Sequence, residues 1–257
     1  MAQRKTKHRR RRGRGSLGPL LRLVSVVLTA VAVVVALTLF FKVDEIVVSG
    51  NGRYSEDEII SVSGVEIEDN LILLDKYYIA RELYTRLPYI TDVQIRRELP
   101  DRLAIEVTET KPAFAVESGG AWWLVSGGGK ILETVEENVA GEYLLLRGVT
   151  ALGVAVGSQL ELAADGNLST QRMVELVAAL SERNMLSKTD SVDAGDSEIL
   201  HIYYDGRFDV ELYYDADLAF KFNCLRAAVN ELQPNEMGTM RMTMADENEV
   251  RFIPLRS

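Results

Sequence analysis

Residues 93–113 read VQIRRELPDRLAIEVTETKPA. Val93, Ile95 and Arg97 alternate with Asp92, Gln94 and Arg96, and after Leu99-Pro100-Asp101-Arg102 the alternation resumes at Leu103, Ile105 and Val107. A period of two puts Leu103, Ile105 and Val107 on one side of a strand, and Pro-Asp between two such runs is turn chemistry. The segment is predicted to be a β-hairpin with Pro100-Asp101 at its turn. Its apolar side needs a cover.

The residues upstream supply one. Ile79, Leu83 and Leu87 recur every four residues and Pro88 ends the pattern, which predicts a helix from about Lys76 to Arg86. Ser55 and Glu58 have capping-box spacing ahead of Ile59, Ile60 and Val62, and Gly64 supplies a stop, so a short helix is expected there. Before it, Val43, Ile46, Val47 and Val48 form a β-branched run that ends in the turn formers Ser49-Gly50-Asn51-Gly52. The expected order is β-α-α-β-β.

Further upstream, Leu23 to Phe41 contains no charged side chain. As a helix rising ~1.5 Å per residue, this run reaches roughly 28 Å, about the hydrocarbon thickness of a bilayer. A buried soluble helix is rarely apolar on every side for so long. A cleaved signal peptide would use Ala30-Val31-Ala32, yet that triplet lies inside the apolar run, so an uncleaved signal anchor fits better. Residues 1–22 hold nine of the 29 basic side chains and no acid, leaving twenty to balance 38 acids in a chain of net charge −9. Basic flanks stay cytoplasmic, so residues 42–257 are expected outside. Attraction of the tail to anionic headgroups follows, while an acidic body argues against nucleic acid as a partner. Cys224 is the single cysteine, so no intramolecular disulfide forms and stability must come from ordinary cores.

After Pro112 the text changes to short strands broken by glycines: Phe114-Ala115-Val116, Trp122 to Val125, and Lys130-Ile131-Leu132, separated by Gly119-Gly120 and Gly127-Gly128-Gly129. A meander is predicted. Met173, Val177 and Leu180 form one face of a helix over about 170–184, with Ser169 or Thr170 as cap. Leu200, Ile202 and Tyr204 alternate towards Asp205-Gly206, and Phe208, Val210 and Leu212 away from it, a second hairpin. A last helix is expected over about 217–232, closed by Pro234. Two terminal strands, Thr239–Met244 and Val250–Phe252, should follow, with Pro254 ending the pairing and one strand left as an exposed sheet edge.

Catalytic groups are sparse. His8 falls in the tail and His201 within a strand, so no two-histidine site can form outside. Asp190, Asp193, Asp196 and Glu198 miss the spacing of a calcium loop and read as a solvated acidic loop. Lys130 after the glycine triplet lacks phosphate-loop spacing, Gly148 to Gly157 lacks a dinucleotide fingerprint, and Glu136-Glu137 is not singled out for acid/base work. Cys224 lies near an apolar helix face without a cationic partner. No catalytic residue, metal, cofactor or small-molecule substrate is expected.

The β-α-α-β-β order directly after a signal anchor resembles a POTRA domain. With Val48-Ser49-Gly50-Asn51 and the phrase Pro100-x-x-Leu103-x-Ile105-x-Val107-x-Glu109-x-x-Pro112-Ala113, nearly the whole chain resembles the FtsQ/DivIB family of bacterial cell-division proteins. Thr110 and Ser126 stand where that family often has Arg and Asp.

The resemblance implies an α+β architecture: a basic cytoplasmic tail (1–22), a transmembrane signal anchor (23–41), a POTRA domain (42–109) and a mixed β-domain with two helices (110–257). It further implies a non-enzymatic divisome scaffold in the plasma membrane at the septum. Such a scaffold docks FtsB/DivIC-type and FtsL-type bitopic proteins and links them to septal peptidoglycan synthesis. By that resemblance the docking role falls on Met244, Val250, Arg251 and Phe252, with Met240 and Met242 added. The alternatives are a POTRA-bearing chaperone or secretion component and, from another class, a membrane-anchored cell-wall hydrolase.

Overall fold

A computed structural model describes residues 17–163, 166–243 and 250–255. The uncharged run forms helix α1 (Leu17–Phe40), and none of its Leu20–Thr38 stretch is buried. A core helix would hide one face, so exposure around the whole circumference fits a membrane anchor.

Strand β1 (Glu45–Ser49) leads to α2 (Glu56–Ser63), where Ser55 Oγ accepts the Glu58 N–H at 3.2 Å. Gly64 closes α2 in the left-handed region at φ 68°. Helix α3 (Lys76–Arg86) buries Ile79 and Leu83. Strands β2 (Ile90–Glu98) and β3 (Arg102–Glu109) make the expected hairpin, with Leu103, Ile105 and Val107 buried. The three strands form one sheet in the order β1-β3-β2.

Two compact units divide the chain. One holds the segment ending at Val47 together with Val65–Asp75 and Arg96–Ala104. In it the chain leaving α1 pairs with the 65–75 segment: Val43 N–H donates to Asp69 O at 2.8 Å and Leu71 N–H to Phe41 O at 2.9 Å. Asp44 N–H donates to Asp101 O at 2.8 Å, and Arg102 pairs with Glu45 at 2.7 Å.

The other unit, Val48–Gly64, Lys76–Ile95 and the chain from Ile105 onward, contains a nine-stranded sheet. In chain order its elements are β4 (Pro112–Ser118), β5 (Ala121–Ser126), β6 (Ile131–Val135), α4 (Glu137–Ala140), β7 (Leu144–Arg147), the small pair β8 (Ala151–Leu152) and β9 (Glu161–Leu162), and α5 (Thr170–Glu182). They continue with β10 (Thr189–Asp193), β11 (Ile199–Tyr204), β12 (Phe208–Tyr213), α6 (Leu218–Glu231), β13 (Gly238–Arg241) and β14 (Arg251–Pro254). The sheet runs β14-β13-β12-β11-β10-β7-β4-β5-β6, with β7 parallel to both β4 and β10 and β12 parallel to β13.

Ser169 and Asp217 cap α5 and α6, and both helices bury their apolar stripes in one core with the inner face of the sheet. Asp205 and Gly206, at φ 59° and 62°, open the three-residue connection Asp205–Arg207 between β11 and β12, in which Arg207 N–H donates to Tyr204 O at 3.2 Å. The four-residue α4 was not expected; its Ala140 packs on Ala115 and Leu124 in a separate small cluster.

Two expectations are corrected. Asp190 and Asp193 lie in β10 inside the sheet rather than in a solvated loop, and their carboxylates accept the Gly206 and Gly195 N–H groups, each at 2.9 Å. Pro254 does not end the pairing: it lies in β14 opposite Gly238, where an edge strand tolerates the missing N–H, and Leu255 N–H beyond it still donates to Met237 O at 2.8 Å.

Candidate partner-docking edge

The two phrases that carried the resemblance meet in space. Gly50, at φ 82°, lies against β3 so closely that a Cβ there would fall 2.0 Å from the Val107 carbonyl oxygen. Two residues along β3, Glu109 accepts the backbone N–H groups of Arg53 at 2.7 Å and Tyr54 at 3.2 Å. Burial would raise this carboxyl, but the N–H groups of Gly52, Arg53 and Tyr54 outweigh it and hold Glu109 below the ordinary range. Glycine and glutamate at these positions are therefore structural requirements of the β1–α2 turn.

Within the same unit, Glu133 and Lys130 tie this turn and the end of α3 to the nine-stranded sheet. Glu133 receives the Tyr89 hydroxyl at 2.6 Å and the Arg53 guanidinium at 3.2 Å. Lys130 donates to the carbonyls of Ile90 at 2.8 Å and Tyr84 at 3.3 Å, and its burial lowers its pKa. Lys130 is thus a carbonyl-capping cation. At the β6 margin, Ile131 exchanges backbone bonds of 2.8 Å with the Gly157–Ser158 segment.

The opposite margin is β14. Leu255 N–H donates to Met237 O at 2.8 Å, which fixes the antiparallel alternation with β13. Arg251 and Ile253 then spend their backbone groups on β13, and the N–H and C=O of Phe252 and the C=O of Pro254 point away from it. Among the described residues no strand receives them. A Cβ at Gly238 would lie 2.1 Å from the Ile253 carbonyl oxygen, so the glycine allows the close approach of β13 and β14.

A family model described as POTRA domain, FtsQ-type matches residues 41–110. The chain is 25% identical over 180 residues to the cell division protein FtsQ of Geotalea daltonii (70% of this chain, 60% of that relative). It is 27% identical over 168 residues to the cell division protein DivIB of Clostridium acetobutylicum (64% of each) and 30% identical over 106 residues to FtsQ of Streptomyces bingchenggensis (41% and 40%). Residues 41–110 thus match the FtsQ-type POTRA domain, and the chain is similar to FtsQ and DivIB cell-division proteins. Its matches span less than two thirds of the length of each of these relatives.

The six residues assigned to docking separate into distinct environments. Met240 and Met242 are buried in the core, which removes their side chains from any docking surface. Phe252, Met240, Val210, Ile202 and Val192 stand in register across five strands as a row of the inner face. Phe252 is half-buried at the end of that row, and Val250 packs against the same core. Arg251 is exposed on the outer face, as is Ile253, which the sequence did not single out. Met244 lies outside the described residues. The missed signal for Ile253 is the alternation Phe252–Ile253 itself: once Phe252 faces inward, its neighbour must face outward.

The remaining polar candidates line the outer face. Arg251, Arg241, Glu211, His201 and Asp193 form a second cross-sheet row. His201 Nδ1 lies 3.0 Å from Asp209 Oδ1, and Arg241 Nε donates to Glu211 Oε2 at 2.6 Å. Ligand atoms of His201, Asp209 and Glu211 lie within 4.8 Å of one another, but Arg241 already neutralises the glutamate. Asp196 turns the chain by accepting the Glu198 and Ile199 N–H groups, and Cys224 is half-buried against the core.

Proposed function

We propose that this chain is a non-enzymatic, single-pass scaffold of the division machinery. Its tail (1–22) is cytoplasmic, the POTRA domain (42–109) and β-domain (110–257) are extracytoplasmic, and it works at the septum. The β-domain docks FtsB/DivIC-type and FtsL-type bitopic partners by strand addition at β14, linking them to septal peptidoglycan synthesis. The observation that carries this reading is the outer margin of β14, which no strand among the described residues pairs with and which is bordered by the exposed side chains of Arg251, Ile253 and Leu255. The match to the FtsQ-type POTRA model, the likeness to DivIB and FtsQ proteins and the basic flank of α1 support it.

The docking test uses the full chain in nanodiscs and the purified extracytoplasmic segment of an FtsB/DivIC-type protein. Arg251→Glu combined with Ile253→Asp changes only outward side chains, so the fold should persist while binding is lost. Binding equal to wild type would place the partner elsewhere. Orientation is read separately, by protease accessibility: cleavage near Trp122 from the cytoplasmic side alone would reverse the topology.

A further inference from the structure

The turn that follows the pairing with the exit of α1 carries its own apolar surface. Phe41 to Val43 runs antiparallel to Asp69 to Leu71, with Lys42 bridged to Asn70. The Asn70 side chain reaches back to the membrane helix, donating from Nδ2 to the Thr38 carbonyl at 3.2 Å. Thr38 lies at the outer end of the candidate span Leu20–Thr38, three residues before the apolar run stops at Phe41. Asn70 therefore sits level with the end of the bilayer-crossing segment, and the next residues fold tightly around it. Its Oδ1 accepts the N–H groups of Ile72 at 3.0 Å and Leu73 at 3.1 Å, and its carbonyl accepts Leu73 N–H at 3.0 Å and Leu74 N–H at 3.2 Å. Arg97 holds the far side of the turn through the Leu74 carbonyl.

Ile72 and Leu73 lie on this turn 43% and 74% exposed. Scattered exposed leucines are ordinary on a protein surface. Position separates this pair from the ordinary case. Three residues span at most about 10 Å of chain, and the headgroup zone adds roughly 5 to 7 Å beyond the hydrocarbon. Side chains folded back around Asn70 rather than extended from it are within reach of the headgroup zone. The charges on and beside this turn are Glu66, Glu68, Asp69 and Asp75 against Lys42, Lys76 and Arg97, with Lys42 paired to Glu68 at 3.4 Å, so there is no excess of positive charge to draw anionic headgroups.

We propose that the 70–74 turn is a membrane foot: Ile72 and Leu73 insert into the outer-leaflet interface and fix the height and tilt of this unit on the bilayer. The occupant is the lipid surface itself, taken up by apolar contact. The inference rests on the reading of α1 as a membrane span.

The test places single cysteines in the full chain in a Cys224→Ser background, labels them with an environment-sensitive fluorophore and reconstitutes each variant alone in phosphatidylcholine nanodiscs. Val31→Cys reports the span, Leu73→Cys the foot, and Ile67→Cys, 57% exposed and one residue before the Glu68 that pairs with Val43, reports the outward side of the same segment. The expected result is strong quenching of the Val31 and Leu73 labels by doxyl lipids, with iodide quenching at Leu73 several-fold below that at Ile67. A Val31 label that lipid does not quench overturns the anchor and the foot together. A lipid-quenched Val31 label beside equal iodide access at Leu73 and Ile67 overturns the foot alone. A Leu73 label shielded from iodide but untouched by doxyl lipid identifies protein as the cover and equally overturns it.

Discussion

The Phe252 ring stands edge-on to Phe208, with centroids 6.2 Å apart and planes at 76°. One aromatic of the edge strand is thereby fastened to the first residue of β12, two strands away. Phe252→Ala should detach β14 and lower stability by about 2 kcal/mol, less than for a fully buried ring because Phe252 is only half-buried. Urea unfolding measures the loss, and hydrogen exchange should show it concentrated in residues 251–254. A variant as stable as wild type with unchanged exchange there would contradict the packing role.

Gly50→Ala tests the close approach to β3. The added methyl meets a backbone carbonyl that cannot rotate away, in a φ region that alanine disfavours. The expected cost is at least about 2 kcal/mol, seen as a lower midpoint in chemical denaturation. A Gly50→Ala midpoint within error of wild type would mean that the β1–α2 turn relaxes freely.

Glu109 gives a pH prediction. Its folded pKa is depressed, so its contribution is present above the ordinary glutamate value of about 4.3 and is lost as pH falls through the lower folded value. Glu109→Gln keeps an acceptor but not the charge. It should cost ~1 kcal/mol at neutral pH and flatten the acid limb of the stability curve. An unchanged slope between wild type and variant on that limb would assign the acid sensitivity to other carboxyls.

Tyr89 predicts the alkaline limb. Burial, then its hydrogen bond to Glu133, raises the phenol well above its ordinary value. A raised pKa contributes stability that is complete below the ordinary tyrosine value of about 10 and fades as pH climbs through the folded value. Ultraviolet titration should find a phenol that ionises only at far higher pH than the exposed tyrosines. Glu133→Gln should bring that transition down, though not to the ordinary value, because burial persists.

Local features were legible in the residues: Ser55 and Gly64 bound α2, Pro88 follows α3, and Asp205-Gly206 turns β11 into β12 as their chemistry requires. The nine-strand order was not. Leu144–Arg147 was not read as a strand, although β7 lies between β4 and β10 and pairs in parallel with both. Periodicity tells which side of a strand is apolar but not which strand lies beside it, and parallel partners are joined by long connections that leave no local turn signal. The same gap explains the terminal assignment. Alternating methionines fit a core face and a docking face equally well, and only the position of β13 between β12 and β14 puts Met240 inside.

The brevity of β14 limits how firmly anything can hold it. Three outward backbone groups at about 1 kcal/mol per hydrogen bond give roughly 3 kcal/mol, short of even millimolar affinity. A guest strand gripped by that border alone would come and go freely. On the proposed reading, lasting occupancy would draw on side chains such as Ile253 and on the crowding that a shared membrane plane imposes, and each junction would be reversible while the assembly endures.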